Sequence, residues 1–370
     1  MSRRRKSVAE EDASDKTVYL VVEHKGNKEP SHSIVIAGGT RAPPVMVPLH
    51  HAIRGMSFAA ADSRWIFGVG GDSSCPSTVY DLSTSTESAG PIVLKNKVNP
   101  ILIPHRGLLY VLSSRPKIHN IECPDFLPWF ELIRFTNGKG GLADFDACPP
   151  CELPPPPIFP YCINPIEYAN PPDVRVAAYA VVDSHILLSV AVSFHHHHQQ
   201  QQEDKGTCAF DMDRQVWDMV DTKSLPFLGQ AIPIGDHLFV AHSKDDDGAA
   251  EVYYMAVFPA KDTPTGKTEL SMVKSKLDLP RGGIVAGQQL CALGMRGCFS
   301  SFDFPSVVHH GPGTILEKAR VIQRIYSLVK GADDLNKVVK WQRRIFKLLD
   351  PSHLLARPAS LVAAFTLDSE

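Results

Sequence analysis

The chain has 370 residues, 44% of them hydrophobic and 21% charged, which is enough apolar material for a large core and excludes a wholly disordered protein. Thirty-eight Lys and Arg against forty Asp and Glu leave a net charge of -2, which excludes the broad basic field of a protein that coats nucleic acid. Thirty prolines are the compositional excess, and helices would be broken by so many, so short strands joined by many turns are expected.

The opening Met1-Ser-Arg-Arg-Arg-Lys-Ser-Val-Ala-Glu-Glu-Asp carries cations with no apolar run behind them, which predicts a disordered tip over residues 1–15 and no secretory signal. No window approaches the ~18 uninterrupted apolar residues of a membrane span. There is no Asn-x-Ser/Thr site, and eight cysteines are too few for a disulfide scaffold. An intracellular protein is expected, cytoplasmic or nuclear and not secreted, with Arg3 to Lys6 as the one candidate nuclear address.

Thr17 to His24 and Ser33 to Gly39 read as two strands joined by a polar loop, placed to form a first sheet or to close a ring. Two kinds of strand then recur in order. The first is an apolar run led by a Gly, Ser or Asp turn: Ser63-Arg-Trp-Ile-Phe-Gly-Val, His105-Arg-Gly-Leu-Leu-Tyr-Val-Leu, Ser184-His-Ile-Leu-Leu-Ser-Val, Gly235-Asp-His-Leu-Phe-Val-Ala and Gly287-Gln-Gln-Leu-Cys-Ala-Leu. The second follows it: Val79-Tyr-Asp-Leu, Phe130-Glu-Leu-Ile-Arg-Phe, Cys208-Ala-Phe-Asp-Met, Tyr253-Tyr-Met-Ala-Val-Phe and Phe299-Ser-Ser-Phe-Asp-Phe. Three of these share an aromatic, Asp, apolar triplet at Asp81, Asp211 and Asp303. A repeat of roughly 43 to 50 residues built on paired strands is the pattern of propeller blades, with an antiparallel sandwich as the competing all-β reading. A blade has two apolar faces and must stack on neighbours around a common axis to bury them.

A propeller-like domain of about six blades is thus expected over residues 16–305. Two insertions interrupt it. One is Pro-rich, over 148–172, with Cys148-Pro-Pro-Cys151 and the run Pro154 to Pro157 locked in an extended form that must lie on the surface or between blades. The other is a loop over 195–204 holding His195 to His198 and Gln199 to Gln202, read as a tolerated low-complexity tract. After Pro305 the period changes, and Ile315 to Lys330 and Asp334 to Asp350 read as two helices of a C-terminal tail over 306–370. In the second, Val338, Trp341, Ile345 and Leu348 fall on one face, with Lys340, Arg343, Arg344 and Lys347 beside them. A Trp-anchored stripe among cations is the pattern of a helix that docks in the groove of a calmodulin-like partner, lies on an acidic membrane surface, or packs on the chain's own sheets.

In this order of segments the chain resembles a kelch-like domain-of-unknown-function family, number 1668, expanded in grasses. The likeness is carried by Phe58-Ala-Ala-Ala-Asp-Ser-Arg-Trp-Ile, Thr78-Val-Tyr-Asp-Leu-Ser-Thr, Gly107-Leu-Leu-Tyr-Val-Leu, Leu153-Pro-Pro-Pro-Pro-Ile-Phe, Gly206-Thr-Cys-Ala-Phe-Asp-Met with Val216-Trp217, and Leu225-Pro-Phe-Leu-Gly. The resemblance implies a kelch-like β-propeller and a plant source, and it implies no activity. Most blades lack the kelch double glycine with spaced Tyr and Trp, which leaves blade number open, and a helical ending leaves ring closure open.

No constellation has specific chemistry. Cys148 and Cys151 form the one Cys-x-x-Cys, which needs two further ligands to hold zinc, and the expected reading is two free thiols. Lys244-Asp-Asp-Asp-Gly248 lacks the ligand spacing of a calcium loop, and the His pairs 50/51 and 309/310 lack a spaced carboxylate. No phosphate-binding glycine loop, dinucleotide fingerprint or Gly-x-Ser-x-Gly occurs. The expectation is a non-enzymatic protein-protein interaction scaffold with no cofactor, protein partners and no nucleic acid. The alternative is an enzyme or small-ligand binder with a site in the central channel.

Overall fold

The computed structural model describes residues 16–25, 29–38, 44–71, 77–118, 124–137, 143–144, 149–160, 171–193, 204–245, 249–259, 268–276, 288–294, 296–303, 320–330, 336–348 and 359–366. Its regular elements among these residues are all strands. In chain order they are β1 (Val18–His24), β2 (His32–Ala37) and β3 (Val45–Leu49), then β4 (Met56–Ala61), β5 (Trp65–Gly70), β6 (Thr78–Asp81) and β7 (Thr86–Ala89). A third group holds β8 (Ile101–His105), β9 (Leu108–Leu112) and β10 (Phe130–Arg134), the small pair β11 (Thr136–Asn137) and β12 (Ala143–Asp144), and β13 (Cys151–Glu152). Next come β14 (Asp173–Val182), β15 (His185–Ser193), β16 (Thr207–Asp211) and β17 (Val216–Asp221), and then β18 (Phe227–Gly235), β19 (Leu238–Ser243), β20 (Ala250–Pro259) and β21 (Thr268–Lys276). The last group is β22 (Gln289–Ala292), β23 (Cys298–Asp303), β24 (Arg320–Lys330) and β25 (Asn336–Lys347), followed by β26 (Ala359–Thr366).

Each consecutive group forms an antiparallel meander, and β26 returns to pair with β1, so that β26, β1, β2 and β3 make a sheet of their own. The groups beginning at β14 and β18 are joined edge to edge, because β14 and β18 pair in parallel through Ala178↔Gly229, Tyr179↔Gln230 and Ala180↔Ala231. The first strand of each meander lies inward: β26 contacts β22 and β4, β4 contacts β8, and β18 contacts both β14 and β22.

The core follows from strands that are apolar on both faces. In β1, Val18, Leu20 and Val22 pack toward β23, β24 and the end of β25, whereas Val21 packs toward β4, β5 and β6. In β15, Ile186, Leu188 and Val190 pack against Tyr110 and Phe130, and Leu187 against Phe227 and Tyr253. Such strands read as continuous apolar runs because neither face meets water. Further clusters join the second group to the third through Trp65, Phe67, Leu109 and Ile133, and the fifth to the sixth through Val240, Val252, Phe299 and Tyr326. Every group of strands thereby shares an apolar interface with the next, and the last shares one with the first.

Tight turns join inner to second strands. Asp62 and Ser63 both take φ 49, Arg106 and Gly107 take 49 and 73, and Asp236 and His237 take 49 and 58. Paired positive φ values are what a two-residue hairpin needs to match the right-handed strand twist.

The C-terminal segment corrects the sequence expectation of a helical tail. Residues 320–330 and 336–347 are strands, β24 pairing with β23 and β25 with β24, and β26 belongs to the first sheet. Pairing overrides the helix propensity of their Lys, Arg, Leu and Gln residues. Because β24 is covered on both faces, its apolar residues do not alternate simply, and the run Val321-Ile322-x-x-Ile325-Tyr326 imitates a helical period. The repeat also slips here by one strand. Val79 to Asp81 and Cys208 to Asp211 are third strands of their sheets, whereas Cys298 to Asp303 is a second strand, with the third hidden in the segment read as helix.

The described part of the Pro-rich insertion lies between sheets, one of its two expected locations. Cys151–Glu152 is the outer strand of the third sheet, Trp217 Nε1 donates to Pro154 O at 2.8 Å, and Phe159 meets Trp129 edge-on. The tip 1–15 and the tract 195–202 lie outside the described residues.

Candidate functional site

Two places where strands converge could carry function. The first is a cavity of about 580 Å³ at the axis, lined from all six inner strands: β4, β8, β14, β18, β22 and β26. Its shape depends on a bulge. The β18–β19 register shifts between Leu228 and Ile232, and Gly229 takes φ 67 with nothing within 4 Å of where a Cβ would stand. Glycine is there for its backbone angle, since the left-handed region costs other residues about 1–2 kcal/mol. The bulge turns Leu228 and Gln230 to the cavity.

The polar side chains of this lining are neutral amides, hydroxyls, the Cys291 thiol and one imidazole; among the described residues no Asp, Glu, Lys or Arg lines it. Tyr179 Oη donates to Gln230 Oε1 at 3.2 Å, His242 Nε2 donates to Gln288 O at 2.9 Å, and Thr366 Oγ1 donates to Ala292 O at 2.6 Å. Burial raises the Tyr179 hydroxyl pKa, so that group stays protonated. Gln288 Oε1 is buried without a hydrogen-bond partner.

The second place is a pair of connections, residues 90–100 between β7 and β8 and residues 113–129 between β9 and β10. Lys97 is buried and ion-paired to Glu131, which is also buried and accepts the Leu94 N–H at 2.6 Å. Burial lowers the Lys97 pKa while Glu131 opposes the shift, and burial raises that of Asp125. Asp125 N donates to Asn96 O at 2.8 Å, Val98 N donates to Asp125 Oδ2 at 3.2 Å, and Gly71 N donates to Lys97 O at 2.7 Å. On this pinned framework stand three exposed aliphatic side chains, Ile92 at 73%, Leu94 at 46% and Leu127 at 36%.

The sequence-selected residues scatter. Val338, Lys340 and Trp341 lie on β25, with side chains outside the described set. Ile345 is 48% exposed beside exposed Arg343 and Lys347, Arg344 is intermediate, and Leu348 is buried with Phe346 against β1. Residues 336–347 form a strand, so the premise of a helix in a calmodulin-like groove does not hold. Cys151 is a free exposed thiol, and Cys148, His309 and His310 lie outside the described residues. The N–H groups of His50 and His51 donate to Glu87 at 2.7 and 3.0 Å. Lys274 reaches Glu251 at 2.9 Å and Asp245 at 3.9 Å. The aspartates of the triplets are structural: Asp81 accepts Arg64 and Ser83, which hold its carboxyl well below the usual range, and Asp211 accepts the N–H groups of Asp213 and Arg214.

Among the described residues no group of three or more His, Cys, Asp or Glu is placed to hold a metal, and no helix is long and apolar enough to cross a membrane. The cavity and the pinned aliphatics escaped sequence reading because their residues come from distant segments. A trace existed in Leu225-Pro-Phe-Leu-Gly, whose glycine makes the bulge.

A family model described as "Protein of unknown function (DUF1668)" matches residues 3–339. No curated protein matches the sequence. Of solved structures, TolB from Acinetobacter baumannii is similar with a TM-score of 0.44 at 10% identity, over 96% of this chain and 67% of that one. The Pan2 WD40 domain of Neurospora crassa is similar with a TM-score of 0.35 at 9% identity, over 73% of this chain and 66% of that one.

Proposed function

The chain belongs to the DUF1668 family of proteins of unknown function, and we propose from its own geometry that it is a non-enzymatic scaffold that holds a protein partner. The frame is a six-bladed β-propeller whose first blade is completed by the C-terminal strand. Among the described residues, six four-stranded arrays with the small pair β11–β12 beside the third, six apolar interfaces in cyclic order and the β26–β1 pairing support that frame. In it the connections that hold residues 90–100, 113–118 and 124–129, like that preceding β18, leave one end of the blades, and the short inner hairpins leave the other.

The observation that carries the reading is the set Ile92, Leu94 and Leu127. They are aliphatic and exposed; Leu94 is held through its N–H by the ion-paired Glu131, and Ile92 and Leu127 lie close in sequence to Pro91 and Asp125, whose backbones are hydrogen-bonded. An apolar contact set held rigid loses little entropy on binding, which is what an anchor for a partner requires. The near-neutral charge favours protein over nucleic acid.

Cross-linking and affinity purification of the tagged chain from its native tissue tests this, with wild type beside an Ile92→Glu, Leu94→Glu, Leu127→Glu variant. Polypeptides recovered with wild type and lost with the variant, at unchanged melting temperature and with cross-links mapped to residues 91–97 and 124–128, are expected. Equal recovery by both, or background proteins alone, would overturn the reading.

A further inference from the structure

We propose that the axial cavity binds an uncharged small molecule with an apolar body and at least one hydrogen-bond donor, the donor directed to Gln288 Oε1. The volume, about 580 Å³, lies in the range of small-molecule sites. The inference does not rest on the scaffold reading, because it uses none of Ile92, Leu94 and Leu127.

Three observations carry it. The charge argument comes first: an ion moved into this lining would leave water without finding an opposite charge, which costs several kcal/mol even after relaxation, so the site selects against phosphates, carboxylates and amines that stay protonated. Next, three of the lining's polar side chains are engaged internally, Tyr179 on Gln230, His242 on Gln288 O and Thr366 on Ala292 O. Gln288 Oε1, by contrast, is buried without a hydrogen-bond partner. A buried acceptor without a donor is costly, and a ligand N–H or O–H would satisfy it. Last, the strand bulge at Leu228–Ile232 departs from regular pairing at the one place where that departure delivers Leu228 and Gln230 to the cavity. Bulges that re-aim side chains recur beside binding sites. Leu228 is 44% exposed, an apolar surface for a ligand body to cover.

The experiment is a fluorescence titration of the full chain with N-phenyl-1-naphthylamine, which is neutral and carries one N–H donor, against 8-anilinonaphthalene-1-sulfonate, the same body with an anionic group. Saturable binding of the neutral probe at one site per chain is expected, with the anion at least tenfold weaker. Gln288→Leu is expected to weaken the neutral probe by several-fold up to about tenfold, the span of one hydrogen bond. Leu228→Trp, which fills the cavity from an exposed position, is expected to abolish saturation while the melting temperature holds. Should Gln288→Leu fail to fold, the charge comparison and Leu228→Trp decide. The absence of saturable binding, an anion bound as tightly as the neutral probe, or binding unaffected by Leu228→Trp would overturn the proposal.

Discussion

His32 shows how a single buried side chain sets a property of the whole. Its ring lies 5.1 Å from that of Phe58, its Nδ1 is 2.9 Å from Ser31 Oγ, and its Nε2 is buried without a hydrogen-bond partner. Burial, aided by His24 and Arg54, pushes its pKa from the usual 6.5 down to about 4. The unfolded chain therefore takes up a proton between pH 6.5 and pH 4 that the folded chain refuses, and stability falls as pH falls through that window. The slope from this group is at most about 1.4 kcal/mol per pH unit. Urea midpoints across that range should decline in wild type, and the decline should be shallower in His32→Gln. An equal slope in both would assign the effect elsewhere. None of this was legible in the sequence, where Ser31-His-Ser is an ordinary polar start to a strand; it arises because β1 and β3 flank that start in the sheet and Phe58 of β4 meets the ring.

Strands were legible wherever their ends carried turn chemistry. Asp62-Ser63, Arg106-Gly107 and Asp236-His237 announce hairpins, and β5, β9 and β19 follow them in the structure. β24 and β25 lacked such punctuation on the inner side and were built from cationic and aliphatic residues of good helix propensity, so the helical reading prevailed. Those cations suit β25 as an outermost strand, since charged side chains on an edge discourage pairing with another chain. The bulge in β18 is an element-scale device with its own prediction. At φ 67 any side chain is strained although the space is empty, so Gly229→Val should cost about 1–2 kcal/mol and Gly229→Asn distinctly less, because Asn tolerates the left-handed region. Denaturant midpoints compare the two. Equal costs would point to crowding instead of backbone strain and would contradict the open space around the glycine.

At the scale of the molecule, the all-β class and the blade-like repeat were readable because sheets buried on both faces leave dense apolar runs at near-regular spacing. The axial site was not readable, since each inner strand adds only one or a few neutral residues to it and none forms a local motif. Ring closure was hidden for a related reason: the closing strand is Ala359-Ser-Leu-Val-Ala-Ala-Phe-Thr, a short apolar stretch whose partner, Val18 to His24, lies at the other end of the chain. Closure gives the first and last groups of strands a shared core, with Val18, Leu20 and Val22 against Phe302, Val321 and Leu348. It couples the whole ring into one folding unit, unlike an open repeat array whose units contact only their neighbours. The direct measurement is equilibrium urea unfolding of residues 1–370 beside residues 1–348, which lack β26. A single cooperative transition in the full chain, and its loss or its replacement by a broad, low-midpoint transition in the shortened one, is the predicted result. A shortened chain with the same midpoint and steepness would contradict closure by the C-terminal strand.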